Sequence, residues 1–140
     1  MSDTEPVDEQ ANALVHNVMP FATTLGIEVL EGSKDQIRAR MAWDTRLCTS
    51  GGIMHGGALM ALADTLGGTC AFLNLPEGAG TTTIESKTNF FRAVSKGHVY
   101  ATTKPLHVGR KVIVLETDLV DDDGKRVARV TQTQMVLLPE

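Results

Sequence analysis

Asp64 is the only formally charged side chain between Arg46 and Glu77. It lies inside GGALMALADTLGGTCAFLNL, residues 56–75, the longest apolar stretch of the chain. On a helix it shares a face with Gly57, Ala61 and Gly68, because residues three, four and seven positions apart stack on one side. That face is a strip of very small residues with one carboxylate in it, which leaves room for something other than protein. A buried carboxylate without a partner is costly, so it demands fixed donors or a raised pKa. Burial, a small-residue surround and a lone acid together predict a carboxylate kept for chemistry.

Just before this stretch stands His55-Gly56-Gly57. Glycines let a backbone approach a ligand closely, and the first N–H groups of a helix have no internal acceptor. With the helix dipole behind them, such donors suit a polarised carbonyl oxygen or an oxyanion. A histidine, two glycines and an acid nine residues after the histidine form a constellation much stronger than its parts.

The elements that must hold these groups follow from pattern. Ala11, Leu14, Val15 and Val18 recur at helical spacing over residues 8–18, and Pro20 stops or kinks that helix. Two short extended segments are expected at 26–31 and 36–43, the second alternating Ile37, Ala39, Met41 and Trp43 with polar residues. Residues 44–52 read as a loop. A helix over 56–75 would be about 30 Å long. A membrane span is the competing interpretation, but Asp64 near its centre would cost about 2.5–3.5 kcal/mol and no basic flank accompanies it. A helix inside a folded domain is expected instead.

Beyond Pro76 the composition turns to strands, at 81–94, 98–107, 111–120 and 126–138, separated by breaks short enough for antiparallel hairpins. The Asp121-Asp122-Asp123-Gly124 turn lacks the alternating ligands and closing Glu of a calcium loop. The expected fold is α+β: one curved antiparallel sheet wrapped around the long helix, as a single domain over 8–140 with a flexible tail over 1–7. Long strands leave an exposed edge, so pairing of two copies edge to edge is expected.

The chain of 140 residues supports one core, and its 42% apolar and 21% charged composition is that of a globular protein. The formal net charge of -4 argues against nucleic acid as the main partner. The four histidines show no metal-ligand spacing, so no metal is expected. An acidic N-terminus without an apolar leader, and two widely separated cysteines, point to reduced thiols in the cytoplasm.

The stretch GIMHGGALMALADTLGG resembles the signature of hot-dog acyl-CoA thioesterases of the phenylacetate-degradation (PaaI-like) type, which includes the mammalian thioesterase-superfamily member 2 proteins. FATTLGIEVLE, NFFRAVSKG, LHVGRKV and DDDGKRVARVTQT resemble further family segments in the same order. The resemblance implies a homotetramer built from dimers, with active sites between subunits. It implies that Asp64 is the catalytic acid, as general base or nucleophile, and that the Gly56 N–H polarises the thioester carbonyl. It further implies that His55 lies beside the thioester and that Thr83, from the partner subunit in some members, helps place the water. Many relatives carry Asn or Gln where this chain has Thr49, a shorter group for the same task. No cofactor is implied beyond coenzyme A as part of the substrate. Arg92, Arg110 and Lys111 are candidates for its phosphates, with Gly109 allowing close approach and Gly57 and Gly68 making room for substrate. Two alternatives are a non-catalytic acyl-CoA-binding protein and a hot-dog hydratase. The hydratases share a GDxNPxH-type stretch, and this chain has only SGGIMHGG.

Overall fold

A computed structural model describes residues 2–140. The chain runs α1 (Glu9–Val18), α2 (Pro20–Leu25), β1 (Ile27–Gly32), β2 (Ile37–Ala42), α3 (Gly56–Leu73), β3 (Gly80–Phe90), β4 (His98–Val108), β5 (Val112–Val120) and β6 (Arg126–Leu137). Asp8 caps α1 by accepting the Ala11 N–H. Pro20 begins a second short helix rather than leading into a loop, since at the first helical position its missing N–H costs nothing. Two single 3₁₀ turns, Thr45–Leu47 and Ser50–Gly52, shape the loop before α3.

The six strands form one antiparallel sheet in the order β1-β2-β4-β5-β6-β3. Alternation sends Ile37, Ala39 and Met41 of β2 inward, together with Ile113, Leu115 and Leu119 of β5, all essentially without exposure. They close on Leu62, Ala63, Leu66 and Cys70 of α3. The helix is long and apolar enough to cross a membrane, yet 56% of it is buried within the fold. Tertiary packing therefore accounts for its composition. Free energy on the order of 1.5–3 kcal/mol accompanies each large side chain so buried.

Burial is not complete around the helix. Gly57, Met60, Asp64 and Phe72 remain exposed along one side. The sheet wraps the rest, and the small-residue strip containing Asp64 faces the open quarter. This corrects the expectation of a buried Asp64: within one chain its carboxylate reaches solvent.

The segment before α1 was expected to be a loose tail. Met1 lies outside the described residues, but Glu5 makes two hydrogen bonds to the Arg38 guanidinium, at 2.8 and 2.9 Å. Arg40 adds bonds to the Ser2 and Glu5 carbonyls. Strand β2 thus fastens residues 2–5. At the other end of the sheet β3 is an 11-residue edge strand with a register shift between Thr83 and Glu85.

Candidate active site

The start of α3 is built by three hydrogen bonds from outside the helix. His55 N–H donates to Leu47 O, Met54 N–H to Val94 O, and the Trp43 indole to Gly52 O. They fix the loop that delivers His55 as N-cap. The His55 Nδ1 accepts the Gly57 N–H at 2.7 Å, which leaves the ring proton on Nε2. A Cβ at Gly57 would come 2.8 Å from that Nδ1, so the cap and the glycine require each other. The Gly56 N–H donates to no atom among the described residues. It is a free donor at the positive end of an 18-residue helix, beneath the Phe90 ring. Thr49 is exposed, and its hydroxyl makes no hydrogen bond among the described residues.

Two turns along α3, Asp64 Oδ1 accepts a 2.8 Å hydrogen bond from the Gln132 amide Nε2. Gln132 stands on the inward row of β6 and is almost fully buried, at 1% exposure. Among the described residues its amide oxygen has no partner, and it lies against Gly67, where any Cβ would overlap it. Gln134, the next inward residue, donates from Nε2 to the Thr83 hydroxyl at 2.6 Å and accepts from the Thr81 hydroxyl at 3.0 Å. Two buried amides therefore aim an acid and a hydroxyl from below.

Both groups open on one cavity of about 540 Å³. Asp64, Gly68, Thr83 and Gln134 line it, facing Leu14, Val18, Met19, Phe21 and Phe72. The structure thus brings Asp64, Thr83 and Gly68 together on one cavity of a single chain, whereas in some members of the family the resemblance implies a Thr83 counterpart from the partner subunit. It does not bring Gly56 to Asp64, since eight residues of helix separate them by about 12 Å. One thioester carbonyl cannot touch both in the same chain. Arg92 follows β3, and Gly109, Arg110 and Lys111 lie between β4 and β5, all outside this cavity. Among the described residues none of these three cations joins an ion pair. No metal-ligating cluster of three or more His, Cys, Asp or Glu side chains forms among the described residues. The Asp121 and Asp122 carboxylates instead accept backbone N–H groups of Asp123, Lys125 and His98.

Residues 51–128 match the family model of the thioesterase superfamily. The chain belongs to the thioesterase superfamily. The proofreading thioesterase EntH of Cronobacter turicensis is 38% identical to this thioesterase over 102 residues, 73% of this chain and 74% of EntH. The thioesterase HI1161 of Haemophilus influenzae superposes with a TM-score of 0.85 at 30% identity, covering 99% of this chain and 93% of that one. A mutant of thioesterase PA1618 of Pseudomonas aeruginosa gives 0.85 at 29% identity, with 96% of each chain covered. The antiparallel sheet wrapped on a long helix is the hot-dog fold, and the chain is a thioester hydrolase.

Sequence reasoning missed Gln132 and Gln134 in this thioesterase. Their signal was parity: the inward row of β6 reads Val130, Gln132, Gln134, Val136. Two amides in an apolar row ask for buried polar partners.

Proposed function

We propose that the protein hydrolyses a medium-chain or aryl acyl-CoA thioester, with Asp64 as the acid that drives the reaction, in the manner of PaaI-like thioesterases. The observation that carries this proposal is the Asp64 carboxylate, fixed by Gln132, on a mostly apolar cavity that also holds the Thr83 hydroxyl. An apolar cavity receives an acyl group, and a carboxylate at its side removes a proton from water or attacks the carbonyl carbon.

As general base, Asp64 takes a proton from a water held at Thr83. The water oxygen bonds to the carbonyl carbon, and the carbonyl oxygen gains negative charge. The Gly56 N–H stabilises that charge with the dipole of α3. Collapse breaks the carbon–sulfur bond, and the CoA thiolate recovers the proton from Asp64. As nucleophile, Asp64 would attack the carbonyl carbon and expel the CoA thiolate, leaving a mixed anhydride that water opens to the free acid and the Asp64 carboxylate, the released proton going to the thiolate. Thr49 offers a hydroxyl to the same water or oxyanion. His55 fixes Gly57, and through it the start of the helix. Arg92, Arg110 and Lys111 bind the CoA phosphates. No cofactor takes part.

The 12 Å between Gly56 and Asp64 requires the two to come from different chains, so the working unit is at least a dimer. The open side of α3 and the β3 edge are the surfaces such a pair would bury. In keeping with the family, two dimers associate as a tetramer, in a cytoplasmic setting that keeps Cys48 and Cys70 reduced.

Asp64→Asn should lower kcat by at least about 100-fold in a thiol-release assay with acyl-CoA, the protein remaining folded. A variant with near-normal kcat would remove Asp64 from the chemistry. Gly56→Pro keeps a residue suited to the first helical position and deletes the N–H. When subunits of Asp64→Asn and Gly56→Pro exchange, each mixed dimer regains one intact site and activity returns. No recovery despite exchange would confine the site to one chain. Thr83→Ala mixed with Asp64→Asn should not recover, because both belong to the same cavity.

A further inference from the structure

Helix α1 packs mainly on β1 and α2, and a cleft remains between it and α3. A second cavity of about 540 Å³ occupies the far end of that cleft. Leu14, Val15 and Thr69 line both this cavity and the one that holds Asp64. The two cavities therefore adjoin end to end, with Leu14 and the buried Val15 and Thr69 as their shared wall, and together they outline one groove. It runs the length of α1, about 15 Å for its 10 residues.

The far chamber has Ala11, Leu14 and Leu73 at its mouth beside the polar Gln10, and the buried core residues Val15, Val29 and Ile37 as its floor. Among the described residues Asp8 is the one charged group that lines it, and that carboxylate already accepts the Ala11 N–H at the helix cap. Leu14 is 42% exposed on the groove, and Val18 at its near end is 66% exposed. Apolar walls left open beside a proposed acyl-transfer centre fit an apolar occupant that enters from that centre.

We infer that this groove takes the tail of a linear saturated acyl chain, carrying it from Asp64 beneath α1 to Leu73. The inference rests on the proposed role of Asp64 and narrows the substrate to straight-chain thioesters, because a compact aryl group would fill only the near chamber. A short acyl group would leave the far chamber empty. Each additional methylene past Leu14 removes apolar surface from water and strengthens binding.

The first test compares dodecanoyl-CoA with butyryl-CoA. The ratio of their kcat/KM values should favour dodecanoyl-CoA by at least about tenfold. Ala11→Leu and Leu73→Trp, which fill the far chamber from opposite walls, should each lower that ratio by about tenfold or more. A ratio is insensitive to a uniform loss of active protein. A ratio unmoved by both variants overturns the inference.

The second test needs no change to the groove. Dodecanoyl-CoA carrying a diazirine at its methyl end is irradiated with the Asp64→Asn protein, and the label is located by peptide mapping. Label on residues 10–14 or on Leu73 supports the groove. Label confined to the near chamber, or to the open side of α3 on a second copy, overturns it. The two failures are separable. An active Asp64→Asn protein labelled at α1 would remove the catalytic role and keep the groove; an inactive one labelled elsewhere would do the reverse.

Discussion

Gly67 and Gly68 are neighbours on α3, and replacing each by alanine should shift stability in opposite directions. A Cβ at Gly67 would overlap the Gln132 amide oxygen and stand 2.5 Å from its Cδ. Gln132 is 1% exposed and belongs to a central strand pair, so it has little room to retreat. Forcing in one methyl there costs about 1–3 kcal/mol. Displacing the amide also breaks its bond to Asp64 and leaves a buried donor unpaired, about 1–3 kcal/mol more. Alanine's better helix propensity returns about 1 kcal/mol. The net loss is about 3 kcal/mol, and the melting temperature should fall by about 10 °C. At Gly68 a Cβ would meet only Met19 Cε at 3.7 Å, an ordinary contact. Gly68→Ala should therefore be neutral or gain up to about 1 kcal/mol. Thermal unfolding followed by circular dichroism or calorimetry decides it. Equal melting temperatures for the two variants, or a Gly67→Ala protein as stable as the parent, would refute the tight seating of Gln132 and with it the fixed aim of Asp64.

Gln132→Met should lower kcat by about tenfold or more with little change in KM, and should have no further effect in an Asp64→Asn background, if the amide acts through the acid. An additive loss in the double variant would make Gln132 merely structural. Burial pushes the Cys70 thiol up to about 11, so a disulfide reagent near neutral pH should modify the half-buried Cys48 well before Cys70; two equally fast thiols would contradict the packing around Cys70. The Arg38 guanidinium holds Glu5 below the usual carboxylate range, so this pair stabilises the fold at neutral pH, and its contribution fades as pH falls through that range. Glu5→Gln should lose about 1 kcal/mol at pH 7 and correspondingly less in acid, measured by denaturant titration across pH; a loss that grows as pH falls would reverse the sign of the coupling.

The long helix and the hairpin strands were legible because each carries its own period or punctuation. Alternation at Ile37, Ala39 and Met41 located β2, and the turns at 95–97 and 121–124 separated the later strands. Pro20 was ambiguous, since the same residue ends one helix and starts another. Asp64 stood out by its isolation, but its exposure did not, because no local pattern states which quarter of a wrapped helix stays open. The Gln132 bond spans 68 positions and the Glu5 anchor 33, distances over which a sequence carries no periodic signal. Distances along α3 were readable all the same: the separation of Gly56 from Asp64 follows from helix rise alone.

Strand β3 precedes β4 in the chain yet pairs with β6, Gly80 opposite Leu137 and Phe90 opposite Ala128. During synthesis the helix bearing Asp64 and the strand bearing Thr83 leave the ribosome early, while both glutamines that aim them arrive in the final strand. Long-range pairings of this kind close late and slowly. Until β6 docks, β3 has no neighbour on either side, and the acid has no donor. A nascent or C-terminally shortened chain would thus present an unpaired strand beside an apolar helix, a form prone to sticking to other chains, and would lack both amides that hold Asp64 and Thr83.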